Sequence, residues 1–199
     1  MKQYKGVIEF MKFWPEKKWK QMMLISIIII VLIVASVSVF VLIKANSDVV
    51  SELDVLNPNG SQTALILYHD GFSSFTKDAI YALGDGLVDN GWRVEITTAS
   101  DQAPTDLSKY SLLVLGSPVY GGSPSASIER HVDRIGDLGG IESVLVITSG
   151  GINVGAEASM QKIVEDNNGV VKTVLSLQTG DSLDIAQQAG KEIFPLENN

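Results

Sequence analysis

The hydrophobic positions of this chain form one long unbroken run, then a regular alternation of short runs and spaced ones. The long run, Met22–Ile43, contains no charged residue and is broken only by Ser26, Ala35, Ser36 and Ser38. As a helix rising roughly 1.5 Å per residue it reaches about 33 Å, against a bilayer hydrocarbon core of about 30 Å. It lacks the polar face a core helix of this length would show. It also exceeds the roughly 7–15-residue apolar stretch of a secretory signal, and no small-residue cleavage pattern follows it. Residues 21–44 are therefore expected to form a retained single-pass transmembrane helix.

After the run, residues 45–62 read as a linker, with turn chemistry at Asn57-Pro58-Asn59-Gly60. From Thr63 two segment types alternate. Thr63–Tyr68, Leu112–Leu115 and Ser143–Thr148 are short apolar runs, as strands buried on both faces would be. Val170–Leu177 reads as a further strand. Trp92–Thr98 alternates Trp, Val and Ile with Arg, Glu and Thr, which predicts a strand with one more exposed face. Between them, Thr76–Asn90, Ser125–Leu138, Ala156–Asn167 and Ser182–Phe194 repeat apolar residues at helical spacing, with Gly91, Asn168-Gly169 and Pro195 as stops. Ala99–Lys109, with Pro104, reads as a loop where the rhythm would place a helix. Gly84-Asp85-Gly86 lies inside the first helix and is assigned to close helix packing.

Strand–helix units at this rhythm predict an α/β domain over residues 63–195: a doubly wound, five-stranded parallel sheet in the order 2-1-3-4-5. In that order the connections of the first and third strands leave in opposite directions, and a crevice opens at the carboxyl ends of the strands. Three loops meet there. Ser73, Ser74 and Thr76 bring hydroxyls to a helix start, where free N–H groups favour a phosphate. Ser117-Pro118-Val119-Tyr120-Gly121 follows Gly116 at the third strand; its glycines permit close approach of a planar ligand, and Tyr120 can stack on it. Ser149, Gly150 and Gly151, followed by Ile152 and Asn153, end the fourth strand and can aim amides at ring heteroatoms.

Charge divides the chain. Residues 1–44 carry seven lysines against Glu9 and Glu16, and residues 45–199 carry eight basic and twenty-one acidic residues, so net charges of +5 and −13 underlie the overall −8. Lysines concentrated in the juxtamembrane segment 1–20 place the amino terminus in the cytoplasm and the acidic domain outside it, with Phe10, Phe13, Trp14 and Trp19 as interfacial aromatics. The acidic balance excludes nucleic acid bound through a general positive field and suits a basic redox partner protein. With no cysteine, disulfides, thiolate chemistry and cysteine-ligated iron–sulfur sites are excluded. His69 and His131 have no metal-ligand spacing.

In these residues the chain resembles the flavodoxin family over about residues 63–194. Gly116-Ser117-Pro118-Val119-Tyr120-Gly121 resembles the family's third-strand loop beside the flavin ring. Ser149-Gly150-Gly151 matches the loop closing the ring's other side. Ser73-Ser74-Phe75-Thr76 aligns with the phosphate loop, usually Thr-Gly-Asn-Thr, and departs from it in Ser74 for Gly and Phe75 for Asn. The resemblance implies an FMN-binding protein of electron transfer or flavin-dependent reduction, with no catalytic side chain required and Tyr120 against the ring. The same departures leave open a module that has lost flavin and serves as a tethered interaction domain.

Three other classes fail on their own residues. A phosphorylated receiver domain needs an Asp after the third strand and a Lys after the fifth, where this chain has Gly116-Ser117 and Gln178. A dinucleotide dehydrogenase needs Gly-x-Gly-x-x-Gly at the first turn. A serine hydrolase needs Gly-x-Ser-x-Gly with a placed histidine.

Overall fold

The computed structural model describes residues 17–151 and 154–193. Most of the basic segment, Ile152 and Asn153 of the third loop, and Phe194 and Pro195 at the end of the last helix lie outside them. The chain divides into two units, one up to Lys44 and one from Ala45.

The first unit is built on α1 (Lys18–Asn46). Within it, Lys18–Lys44 is long and apolar enough to cross a membrane, by length and composition, and none of it is buried. Its polar interruptions are neutralised locally. Ser26, Ser36 and Ser38 donate to the carbonyls of Met22, Leu32 and Val34, one turn back, at 2.9, 2.8 and 2.9 Å. A hydroxyl paired this way presents little polarity at the helix surface.

The second unit is an α/β sandwich. Its elements run β1 (Asp54–Leu56), β2 (Thr63–Tyr68), α2 (Phe75–Asp89), β3 (Arg93–Thr98), β4 (Leu112–Tyr120), β5 (Ser123–Pro124), α3 (Ala126–Ile135), β6 (Glu142–Ser149), α4 (Ala156–Asp166), β7 (Val170–Gln178) and α5 (Asp184–Ile193). The sheet order is β1-β3-β2-β4-β6-β7. The five long strands are mutually parallel, in the order the sequence predicts. Side chains alternate between two cores. Ala64, Ile66, Val114 and Val146 face Ile80, Leu83 and Leu87 of α2 and Ala186 of α5. Leu65, Leu67, Leu115 and Ile147 face Ile128 and Val132 of α3 and Met160 and Val164 of α4. Burial on both faces is why these strands read as continuous apolar runs.

Two expectations are corrected. The sheet is mixed, because part of the stretch read as a linker joins it: β1 pairs antiparallel to β3, with Asp54 opposite Ile96. Just before β1, Ser51 extends the attachment; its N–H donates to Thr98 Oγ1 and its Oγ accepts from the Thr98 N–H, both at 3.0 Å. The second correction concerns the polar face of β3, which is covered. Glu95 is 1 % exposed because the Ala99–Ser111 loop folds back where a crossover helix would lie. Its carboxylate accepts from Arg93 at 2.8 Å, Lys109 at 2.9 Å and the Tyr110 hydroxyl at 2.7 Å. The same loop is held to α3 by His131, whose Nε2 lies 2.9 Å from the Pro104 carbonyl oxygen.

Candidate functional site

Pairing between β2 and β4 ends at Tyr68 opposite Gly116, and pairing between β4 and β6 reaches Pro118 opposite Thr148. The segment read as a loop after Leu115 is instead the outer half of β4. It stays extended to Tyr120, turns at Gly121 and Gly122, with φ of 60° and 86°, and pairs back through β5. Consecutive positive φ values make the two-residue hairpin turn that glycine tolerates best. Gly116 has a different task from the one expected of it. A Cβ there would lie 2.5 Å from Ile80 Cδ1, so its empty side admits α2 and not a ligand.

A crevice of about 210 Å³ opens beside this hairpin at the carboxyl ends of the strands. The β2–α2 loop supplies Gly71, Phe72, Ser73, Phe75 and Thr76; β4 supplies Pro118, Val119 and Tyr120; β6 and the turn after β7 supply Thr148, Ser149, Gly150 and Thr179. Phe72 is 52 % exposed and stands edge-on to Tyr120, ring centroids 5.4 Å apart. His69 also stands edge-on to Tyr120, at 6.1 Å between ring centroids. Burial, and then the nearby Asp70 carboxylate, push the Tyr120 phenol above its ordinary range. Its oxygen is buried without a hydrogen-bond partner.

Seven expected residues meet at this crevice: Ser73, Thr76, Pro118, Val119, Tyr120, Ser149 and Gly150. Four do not line it. Ser74 adopts helical backbone, makes no cap bond and donates to Asp78 Oδ2 at 2.7 Å. Ser117 is fully buried; its hydroxyl donates to the Pro118 carbonyl at 2.9 Å and accepts the Ser125 N–H at 2.8 Å, tying β4 to the start of α3. Gly121 is at the hairpin tip. Gly151 follows Gly150 at the surface, and its carbonyl accepts the Ser149 hydroxyl at 3.2 Å.

Sequence reasoning missed Gly71, Phe72, Thr148 and Thr179, and took Phe75 only as a departure. Thr148 and Thr179 were legible as positions at the carboxyl ends of β6 and β7. Phe72 carried no local signal, because a lone aromatic in a loop has no periodicity. His69 Nδ1 lies 2.7 Å from Ser127 Oγ, a pairing nothing in the sequence suggests. Both are buried, so the pair fastens the end of β2 to α3 rather than presenting a nucleophile. Among the described residues no group of His, Asp and Glu could hold a metal ion.

A parallel sheet of this order, with a crevice at its switch point, is matched by solved structures. A flavodoxin from the domain Archaea superposes with a TM-score of 0.57 at 16% identity, over 66% of this chain and 96% of that one. Two-electron reduced Megasphaera elsdenii flavodoxin matches at 0.56 and 16%, over 65% and 97%. The chain has a flavodoxin-like fold. A flavodiiron core from Synechocystis sp. PCC6803 shares that fold (TM-score 0.57, 16% identity), over 68% of this chain and 36% of that one. No family model matches the sequence, and no curated protein matches it. The flavodoxin-like domain lies within the second unit, and the apolar α1 precedes it.

Proposed function

We propose that this protein is a membrane-tethered flavodoxin-like electron carrier that holds a flavin in the crevice between the β2–α2 loop and the ends of β4 and β6. The observation that supports this reading is the convergence of Phe72, Pro118, Val119 and Tyr120 with the Ser149–Gly150 turn at the topological switch point, where open α/β sheets bind ligands. A flat ring finds aromatic and apolar contacts on one side and backbone amides on the other. A bound flavin would supply the electron-accepting chemistry; the chain supplies a dry wall and orientation.

The ring portion of a flavin suits these residues, whereas the expected phosphate loop matches poorly, since Ser74 turns to Asp78 and Thr76 to Thr148. That mismatch favours, as a second reading, an interaction domain without flavin. On either reading α1 anchors the protein in a cell membrane. The amino-terminal lysines support a domain outside the cytoplasm, where its −13 charge suits a basic protein partner.

The visible absorbance of the purified full chain tests the proposal. Flavin bands, or quenching of added flavin fluorescence, are expected; a colourless protein that quenches neither FMN nor riboflavin would leave the interaction domain.

A further inference from the structure

Most serine and threonine hydroxyls around the crevice are engaged within the protein, Ser73 apart, and the unpartnered Tyr120 hydroxyl belongs to the aromatic wall. The Ser149 hydroxyl donates to the Gly151 carbonyl, and the Thr179 hydroxyl to the Ser149 carbonyl, each at 3.2 Å. Thr76 and Thr148 lie 2.7 Å apart, so one of their two hydroxyl protons is engaged within the pair. At the mouth of α2, Ser74 gives its proton to Asp78. No Lys, Arg or His lines the crevice.

What remains at the helix start is backbone N–H and the exposed Ser73 hydroxyl, and that helix carries Asp78 in its first turn while Asp70 stands in the loop before it. A phosphate monoester, with roughly −1.5 to −2 charges at neutral pH, meets two carboxylates there, while the one cation of the first turn, Lys77, holds its Nζ over the Tyr81 ring, 5.7 Å from its centroid and one turn further along the helix. Such a group leaves water only for charge-assisted partners. The rest of the wall is made for an uncharged plane: Phe72 and Tyr120 stand edge to face, with Pro118 and Val119 beside them.

Resting on the flavin reading above, we infer that this crevice takes a flavin ring without a phosphate, of the riboflavin class, and discriminates against the mononucleotide. Discrimination arises at the α2 mouth, where the Ser74 hydroxyl is engaged by Asp78 and two carboxylates repel the dianion. The ring contacts are the same for both ligands and contribute nothing to the difference.

The test uses the full chain in nanodiscs of zwitterionic phosphatidylcholine, so that lipid charge does not bias the comparison. Protein is titrated into riboflavin or FMN at low ionic strength while quenching of ring fluorescence is followed. Riboflavin is expected to bind at least tenfold more tightly than FMN. Asp78→Ala, on the exposed side of α2, removes one carboxylate and frees the Ser74 hydroxyl. It is expected to raise FMN affinity severalfold and leave riboflavin affinity unchanged. FMN binding as tightly as riboflavin, or more tightly, overturns the inference and leaves the flavin reading standing. An Asp78→Ala chain with no gain for FMN overturns the cause assigned to the preference. Binding of neither ligand overturns both readings.

Discussion

Gly86 and Gly190 meet where α2 crosses α5: a Cβ built on either would lie 3.0 Å from the other's Cα. The same Cβ atoms would press on backbone, Gly86 at 2.1 Å from the Gln187 carbonyl oxygen and Gly190 at 2.3 Å from that of Leu83. Neither helix can yield without moving from the sheet. Gly86→Ala or Gly190→Ala is expected to cost about 1–3 kcal/mol, although alanine gains up to about 1 kcal/mol in an unconstrained helix. Urea denaturation of each variant measures this, and an unchanged midpoint would refute the close crossing.

Stability should rise with pH across the acidic range. Burial alone would raise the Glu95 carboxyl, but hydrogen bonds from Tyr110, Lys109 and Arg93 outweigh it and hold the group below its ordinary value. His131 is also lowered, chiefly by burial and further by Arg134. In both cases the unfolded chain binds more protons inside the window. The stabilisation is therefore full above the ordinary His and Glu values of about 6.5 and 4.3, and is lost as pH falls through the lowered ones. Glu95→Ala should flatten the lower part of this dependence and cost about 1–3 kcal/mol through the buried Tyr110 hydroxyl it strands. Thermal melts from pH 7 to pH 3 give both slopes.

At the alkaline end the sign reverses. Burial is the largest cause raising the phenols of Tyr68, Tyr81, Tyr110 and Tyr120, and Tyr68 is pushed up to about 12. Neutral phenols are favoured in the folded state, so their contribution is complete below pH about 10 and disappears as pH rises through the raised values. Ultraviolet titration should show these four tyrosines ionising late, together with loss of the fold.

Tyr120→Phe removes a buried hydroxyl that has no partner. Leaving such a group unsatisfied costs about 1–3 kcal/mol, so the variant is expected to melt higher than the parent. Phe72→Ala, at an exposed ring, should leave stability unchanged and weaken flavin binding about threefold to tenfold, the equivalent of about 0.5–1.5 kcal/mol for one aromatic contact. A Tyr120→Phe chain that melts lower would mean the phenol has a partner.

The proposed tether predicts a topology. A reporter fused after Asn199 should be active only outside the cytoplasm, as the lysine distribution implies. Ile30→Arg, at the middle of the apolar run, should reduce membrane insertion, since a central Arg costs about 2.5–3.5 kcal/mol on insertion scales. Carbonate extraction separates inserted from released chains.

Much of this was legible in the residues. The apolar runs at Thr63, Leu112 and Ser143 and the helical spacing between them determine five parallel strands, their order, the absent helix after β3, the apolar α1 and the place where a crevice opens. These are local patterns, because burial on one or two faces imprints a period on the chain. The partners of polar groups are not local. Asp54–Leu56 is too short to show a period and becomes a strand only because β3 offers an open edge. Glu95 reads as solvated and is buried because a loop 14 residues on returns to pair with it. Ser74 and Thr76 read as phosphate donors, yet Ser74 turns to Asp78, and Thr148 meets Thr76 across 72 residues of chain. Sequence determined where the crevice lies; the tertiary structure decided which of its hydroxyls are still available, because a hydroxyl's proton goes to whichever acceptor the fold brings nearest.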